Sequence, residues 1–313
     1  MSSPASALQA TSTFYAASPG LRWLRLALAA TQRLWPALAV RVALRIFGTP
    51  LPPRWLQRRS GWDRGWQHER WPFEDGTLTL YTRPGAAAGP LVLLVHGWGG
   101  EAGQMLPLAD ALAAAGLQPV LLDLPAHGRS AGTRSNLPQF ARAIGYATAR
   151  LRAQGQALHA LVAHSLGANA AALATSRDGI ARHLVLLAPP ASPRDYTGLF
   201  AHVFGLSEAT RAALQARIEA REGALMADFE PPAVGPRIGA PSLVVHDRGD
   251  RINPFAHGEA FAAHIAGARL LATSGLGHRK VLHDAAVLQA VAAFLAPDAA
   301  SAGPGASAAR APD

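Results

Sequence analysis

The pattern of apolar and polar positions alternates between two periods from residue 77 onward. Short continuous runs rich in Val and Leu are separated by longer segments in which apolar residues recur every three or four positions. Continuous runs are typical of strands buried on both faces of a parallel sheet, and the longer segments are typical of helices. The pattern predicts a doubly wound, mostly parallel α/β fold with right-handed crossovers.

Seven strands and five helices are predicted in this region. The strands are residues 77–81, 91–95, 119–122, 157–163, 183–187, 242–245 and 269–272. The helices are residues 102–115, 137–153, 168–175, 254–265 and 283–295. We place the α/β domain at residues 71–296. The tail at 297–313 is Ala, Ser, Gly and Pro with few large residues, which predicts disorder.

Residues 190–237 interrupt the alternation, because they are too long for an ordinary connection between two strands. Apolar residues recur there at helical spacing on both sides of Ser207, which suits the N-cap of a helix. They are Leu199, Phe200, Val203, Phe204, Leu206, Leu214, Ile218, Leu225, Met226 and Phe229. The segment is predicted to be a small helical cap.

The N-terminal region is predicted to be a flexible stretch at 1–20 followed by a helical extension at 21–70. Arginines interrupt residues 21–56, so none of it reaches the roughly 20 apolar residues of a spanning helix. Two amphipathic helices, separated around Pro36 and ending before Pro50, are predicted instead. They pack on the domain, the more frequent role of such helices, or they lie on a membrane surface.

Composition narrows the function classes. Half of the 313 residues are apolar and 16% are charged, which indicates a folded globular chain. The net charge of +9 is scattered and accompanies no nucleic-acid motif, so no nucleic-acid partner is expected. The absence of cysteine excludes disulfides, thiolate catalysis and cysteine-ligated zinc, and no H-E-x-x-H spacing is present. No secretory signal is recognisable, so we expect a cytoplasmic protein, with the inner membrane surface as the alternative.

Residues 156–173 read QALHALVAHSLGANAAAL, which is typical of a strand, a sharp turn and a helix. The turn would hold Ser165 in a strained conformation with its hydroxyl exposed, and residues two positions away must then be small. Gly167 meets this requirement, and Ala163 stands where the pattern G-x-S-x-G has glycine. The alternative for Ser165 is a simple helix N-cap.

Four further motifs lie around this turn. They read HGWGG at 96–100, LDLPAHGRS at 122–130, HDRGDRINP at 246–254 and GLGHRK at 275–280. The type of these motifs and their order along the chain, from about residue 77 to 295, resemble those of the α/β-hydrolase family.

The resemblance implies a serine nucleophile, Ser165, with Asp250 and His278 as its acid and base. A serine hydroxyl needs an imidazole to take its proton, and the imidazole needs a carboxylate to fix its tautomer. The resemblance also implies that the backbone amides of Trp98 and Leu166 form an oxyanion hole.

Several assignments keep an alternative. Asp247 lies in the same loop as Asp250, and His283 lies near His278 but at the start of a helix. Three other groups are expected to shape loops: His96, His127, and Asp123 at the turn 125–128, with Asp123 as an alternative second carboxylate in the site. His164 is the variable residue of the elbow.

Serine at the elbow indicates an acyl-serine intermediate and no cofactor or metal. The expected substrate is a small carboxylic ester with a hydrophobic acyl or alcohol group, contacted by Trp98, Phe200 and Phe204. Two alternatives are a thioesterase or acyltransferase with the same triad, and a non-catalytic binding or membrane-attached scaffold. The oligomeric state is not determined by the sequence.

Overall fold

A computed structural model describes residues 19–50, 61–85 and 89–296. The predicted tail at 297–313 and all but the last two residues of the predicted flexible stretch at 1–20 lie outside these ranges.

An eight-stranded sheet forms the centre of the described structure, in the order β1-β2-β4-β3-β5-β6-β7-β8. Its strands are β1 (Gln67–Phe73), β2 (Gly76–Thr82), β3 (Leu91–Val95), β4 (Gln118–Asp123), β5 (Leu158–His164), β6 (His183–Leu187), β7 (Ser242–Asp247) and β8 (Arg269–Thr273). β2 pairs antiparallel with both β1 and β4. The other six strands, β3 to β8, are parallel to one another. The predicted doubly wound, mostly parallel sheet is confirmed.

Helices cover both faces of the sheet because the central strands are apolar on both sides. Along β3, Leu91, Leu93 and Val95 join one buried cluster, while Val92 and Leu94 join the other. The first cluster is completed by α4 (Leu137–Ala153), α5 (Leu166–Asp178) and α9 (Phe255–His264). The second is completed by α3 (Leu106–Ala114), which follows a 3-10 turn at Ala102–Met105, and by α11 (Ala285–Leu295).

Strand β1 was not predicted, and it begins at Gln67, inside the range assigned to the helical extension. Its first four residues are exposed and only Trp71 and Phe73 are buried, so the strand carries almost no apolar pattern. Pro72 is tolerated because β1 is an edge strand. The last helix begins at residue 285 and not at 283, because the Asp284 carboxylate accepts hydrogen bonds from the amides of Ala286 and Val287.

The cap lies between β6 and β7. It consists of α6 (Pro193–Phe204), α7 (Glu208–Glu222), a 3-10 turn at Met226–Phe229, α8 (Pro231–Val234) and a 3-10 turn at Gly235–Arg237. Ser207 caps α7 as predicted, since its hydroxyl accepts a hydrogen bond from the amide of Thr210 at 3.2 Å. Outside the cap, the loop between β8 and α11 contains one short helix, α10 (Gly277–Lys280).

Two N-terminal helices, α1 (Pro19–Leu34) and α2 (Pro36–Phe47), form a hairpin that packs on the cap. Ala43 of α2 is buried against Leu214 and Ile218 of α7 and against Met226. The side chain of Gln32 in α1 donates to the carbonyl of Gly205 and accepts from the amide of Ser207. Among the described helices, none combines the length and apolarity needed to cross a bilayer.

The carboxylate of Asp123 holds three parts of the chain together at the end of β4. Fully buried, it accepts hydrogen bonds from the Tyr81 hydroxyl at 2.6 Å, the Ala102 amide at 2.7 Å and the Arg129 amide at 2.7 Å. Gly128, at φ +50°, leaves room for it, because a Cβ there would collide with the carboxylate. The structure agrees with a loop-shaping role for Asp123.

Replacing Asp123 with Ala should lower the free energy of unfolding by about 3 kcal/mol or more, because three buried donors lose their acceptor. The matched control is Asp110→Ala, which removes an exposed carboxylate that pairs with Arg83 and should cost about 1 kcal/mol or less. Urea unfolding measures both. Equal losses in the two variants would show that Asp123 does not hold the loops.

Candidate active site

Ser165 lies in a sharp turn between β5 and α5, as predicted. Its backbone has φ +55° and ψ −128°, a conformation that costs a non-glycine residue about 1–3 kcal/mol. The surrounding packing holds the turn in place. The Ser165 amide donates to the carbonyl of Leu187 at 2.9 Å, and a Cβ on Gly167 would collide with the carbonyl of His96.

The structure brings Ser165, His278 and Asp250 together in one line of hydrogen bonds. The Ser165 Oγ lies 3.0 Å from His278 Nε2, and His278 Nδ1 lies 2.8 Å from Asp250 Oδ2. A single tautomer, with the proton on Nδ1, lets the imidazole donate to the carboxylate and accept from the hydroxyl. Ser165, Asp250 and His278 follow the carboxyl ends of the parallel strands β5, β7 and β8, at the edge where open α/β sheets bind ligands.

Asp250 and Asp247 occupy different positions within the same loop. Asp250 contacts His278, and its second oxygen accepts hydrogen bonds from the amides of Ile252 and Asn253 at 2.8 and 2.9 Å. Asp247 instead accepts from the Thr273 hydroxyl, the Leu276 amide and the Gly249 amide. Asp247 therefore ties β7 to the loop that carries His278, and it does not contact the imidazole.

Hydrogen bonding decides the charge of Asp250. Burial alone would raise the pKa of its carboxyl, but His246 and His278 beside it hold the pKa well below its ordinary value of 3.8. The carboxylate form is therefore favoured, as needed to orient an imidazole. His283, the alternative base, is exposed and lies in the turn before α11.

The acid loop is also bonded to the cap. The hydroxyl of Tyr196 in α6 donates to Asn253 Oδ1 at 2.6 Å, and Asn253 Nδ2 donates to the carbonyl of Ala188 at 2.7 Å. Through the Asn253 amide, this side-chain network reaches Asp250.

The two predicted oxyanion donors, Trp98 and Leu166, belong to the two loops that meet at the serine. Leu166 is the first residue of α5, so its amide has no acceptor within the helix. Gly97, the residue before Trp98, packs directly against Ser165, because a Cβ there would lie 2.7 Å from the serine Cβ. Trp98 and Leu166 both line the same cavity as Ser165.

His96 and His127 hold the HGWGG loop, as expected. His96 Nδ1 donates to the Gly97 carbonyl at 2.7 Å while its Nε2 accepts from the Leu124 amide at 3.1 Å. His127 Nε2 accepts from the Gly99 amide at 3.0 Å. Each ring thus acts as an acceptor on one nitrogen, which requires a neutral imidazole.

His164 connects the nucleophile turn to the His278 loop, a role the sequence did not predict. Its Nε2 donates to the backbone carbonyl of His278 at 2.9 Å, and the two rings are in contact with centroids 4.7 Å apart and planes tilted by 46°. Burial and the nearby His278 lower the pKa of His164 to about 3. The contact crosses 114 residues of chain, so no local pattern indicates it.

A cavity of about 620 Å³ opens from Ser165 and His278 into the space beneath the cap. Trp98, Phe200 and Phe204, the three predicted substrate contacts, all line it. Its volume lies within the usual range for small-molecule sites, and most of its lining is apolar.

Two parts of the cavity wall were not predicted. Ile46 and Phe47 at the end of α2 line it, and Phe47 packs edge-on against Phe200 with ring centroids 5.2 Å apart. Glu222 contributes a nearly buried carboxylate that accepts from Asn136 at 2.7 Å and from Arg142 at 2.9 Å. The helical periodicity of α2 predicted an apolar face without showing what that face contacts.

Across residues 19–50, 61–85 and 89–296, no group of three or more His, Asp or Glu side chains is arranged to hold a metal ion.

Comparisons with known proteins identify relatives of the chain. Two family models match consecutive parts of the chain, described as Serine aminopeptidase, S33 over residues 86–225 and TAP-like protein over residues 227–302. A pimeloyl-[acyl-carrier protein] methyl ester esterase from Xanthomonas oryzae pv. oryzae is 28% identical over an alignment of 243 positions, and the match covers 66% of this chain and 96% of the esterase.

Solved structures share the fold at low identity. A hydrolase from Pseudomonas aeruginosa PA01 superposes with a TM-score of 0.58 and 22% identity, covering 74% of this chain and 99% of that one. A membrane phospholipase A superposes with a TM-score of 0.56 and 17% identity, covering 88% of this chain and 96% of that one.

The sheet, the site and the matched models define the class of protein. The chain belongs to the α/β-hydrolase family. Within that family, the fold and the esterase relative identify it as a hydrolase that acts on ester bonds.

The buried histidines should make stability depend on pH. Burial lowers the pKa of His96 to about 4 and that of His164 to about 3, against 6.5 when exposed. Below pH 6.5 the unfolded chain therefore binds protons that the folded chain does not. The free energy of unfolding should decrease as the pH is lowered below 6.5. Each histidine contributes a slope that approaches about 1.4 kcal/mol per pH unit near pH 5, where the unfolded chain binds its proton and the folded chain does not.

Urea unfolding of the wild type and of His164→Gln, at half-unit steps from pH 8 to pH 5, measures this slope. The variant should show a slope smaller by about 1.4 kcal/mol per pH unit near pH 5 and an unchanged slope above pH 7.5. Parallel curves for the two proteins over the whole range would contradict a neutral, buried His164.

Proposed function

We propose that this chain is a serine hydrolase that cleaves carboxylic esters with a hydrophobic acyl or alcohol group through an acyl-serine intermediate. The main support is the hydrogen-bonded line from Ser165 through His278 to Asp250 at the floor of an apolar cavity. Each distance lies within the range for direct proton transfer or hydrogen bonding.

In the proposed first step, His278 Nε2 takes the proton of the Ser165 hydroxyl as Oγ attacks the ester carbonyl carbon. Negative charge moves to the carbonyl oxygen, where the amides of Trp98 and Leu166 would stabilise it. His278 then gives the proton to the departing alkoxide, and the alcohol leaves. Water, deprotonated by the same imidazole, then attacks the acyl carbon. The bond to Ser165 Oγ breaks, the imidazolium returns its proton to Oγ, and the carboxylic acid is released.

Asp250 would support this cycle electrostatically. Its carboxylate accepts from His278 Nδ1, which leaves Nε2 available to the serine and stabilises the imidazolium that forms. The low pKa of Asp250 keeps the carboxylate charged wherever the enzyme is folded at mildly acidic or neutral pH.

The cavity supports an apolar substrate group. Trp98, Phe200 and Phe204 line one continuous space with Leu199 and Val203, and Phe200 and Phe204 pack together with centroids 4.5 Å apart. The named esterase relative acts on a methyl ester of a pimeloyl group, and one structural relative is called a phospholipase, which agrees with an aliphatic ester.

Replacing Ser165 with Ala should reduce ester hydrolysis by roughly a thousandfold or more and abolish labelling by a fluorophosphonate probe, because both require the Oγ nucleophile. The variant removes one oxygen and should bind a non-hydrolysable ester analogue as the wild type does. Wild-type protein that neither labels nor turns over any ester would exclude the proposal in favour of a binding role.

Activity on p-nitrophenyl esters should rise with acyl length. Each buried methylene contributes about 0.8 kcal/mol, so kcat/KM should grow about fourfold per carbon from acetate until the cavity is filled. Equal kcat/KM for acetate and octanoate would contradict an apolar acyl site. A matched thioester series and added alcohol acceptors measure whether hydrolysis, thioester cleavage or acyl transfer dominates.

The two loop aspartates provide a matched pair. Asp250→Asn should lower kcat by roughly 10³-fold to 10⁴-fold, because the imidazole loses its charged partner. Asp247→Asn should keep kcat within about tenfold of the wild type and mainly lower the melting temperature, since Asp247 bonds only to the loop. A larger kcat loss for Asp247→Asn than for Asp250→Asn would reverse the assignment.

A further inference from the structure

The hairpin of α1 and α2 exposes large apolar side chains away from the cap. Within the described residues, Leu225, Ile252 and Leu270 are the other large hydrophobic residues with comparable exposure, and they lie apart in sequence. The five on the hairpin, named here the hairpin outer face, are Trp23 (73% exposed), Leu26 (62%), Leu34 (63%), Trp35 (61%) and Leu38 (46%).

This face is separate from the one that packs on the protein. The inward side of α1 buries Leu28 and bonds to the cap through Gln32. Trp23, Ala27, Ala30 and Leu34 follow at spacings of three or four residues, and Leu26 lies beside them, three residues after Trp23 and four before Ala30. They form one stripe on the other side of the helix. Folding of the described chain leaves this stripe uncovered.

Charge selects the partner. The hairpin carries Arg22, Arg25, Arg33, Arg41 and Arg45, and the sequence holds no acidic residue before Asp63. An apolar stripe with tryptophan beside a set of arginines is the composition of helices that lie in the interface of an anionic bilayer. A second copy of the chain fits less well, because a two-fold contact would bring the same arginines together.

The hairpin also reaches the cavity. The C-terminal end of α2 contributes Ile46 and Phe47 to the cavity wall, only one helix length from Trp35 and Leu38. An ester dissolved in a bilayer against the hairpin outer face would therefore lie near the apolar space that opens to Ser165.

We propose that the hairpin outer face docks on the surface of an anionic lipid bilayer, with its tryptophans and leucines in the interface and its arginines at the lipid headgroups. This inference rests on the proposed function in one respect: if the chain hydrolyses esters, the membrane would be the source of the ester. Binding itself requires no catalysis.

Cosedimentation of the full chain with vesicles tests the proposal. Binding to vesicles with phosphatidylglycerol should exceed binding to pure phosphatidylcholine by roughly fivefold per engaged arginine and should weaken at 0.5 M salt. The combined variant Trp23→Ala, Leu26→Ala, Leu34→Ala and Trp35→Ala should reduce partitioning by roughly tenfold or more. The matched control, Leu225→Ala with Leu270→Ala, should bind like the wild type.

Two readouts keep the test independent of folding and of catalysis. All variants should keep wild-type turnover of a water-soluble p-nitrophenyl ester, since none of the replaced residues lines the cavity. Ser165→Ala should still bind vesicles. Vesicle binding without ester turnover would exclude the proposed hydrolase and support docking on the bilayer. Ester turnover without vesicle binding would support the hydrolase and exclude docking.

A second copy or another segment of the chain is the competing occupant. Suppose that the wild type is a dimer by light scattering, and that the variant with four substitutions is a monomer that binds vesicles as well as the wild type does. The hairpin outer face would then be a contact between copies, and the proposal would be wrong. If removing residues 1–18 is required before any vesicle binds, that segment covers the face and the proposal is likewise overturned.

Discussion

Close packing between two loops determines the geometry of the site. The turn at Ser165 meets the loop after β3 with almost no spare volume, because neither Gly97 nor Gly167 leaves room for a Cβ. That contact holds the serine in its strained conformation. His96 and Asp123 in turn bond the loops around it, so the polar groups at the ends of β3, β4 and β5 support one another.

The line of side chains depends on a second set of contacts at the ends of β7 and β8. Asp247 ties the strand end to the loop before His278, and His164 bonds to the His278 carbonyl from the nucleophile turn. Three separate segments are therefore fixed relative to each other before any substrate enters. Preorganisation of this kind reduces the reorganisation that the reaction itself would require.

Much of this arrangement is predictable from the sequence, and the reason is local. The central strands are apolar on both faces, so their positions emerge from periodicity, and the residues of the Ser165, Asp250 and His278 line lie in loops with recognisable order. Strand β1 was not predicted because it is a polar edge strand without an apolar pattern. The contacts of His164, Phe47 and Glu222 join segments far apart in the chain, and periodicity describes one segment at a time.

Part of the substrate cavity is built by a helix that precedes the hydrolase sheet in the chain. The reactive groups belong to strand ends, whereas Ile46 and Phe47 belong to a hairpin attached through the cap. Under the proposed function, a change in that hairpin would alter the range of accepted substrates while the strand ends that carry Ser165, Asp250 and His278 stay unchanged. Substrate choice and bond cleavage would then depend on separate segments of one chain.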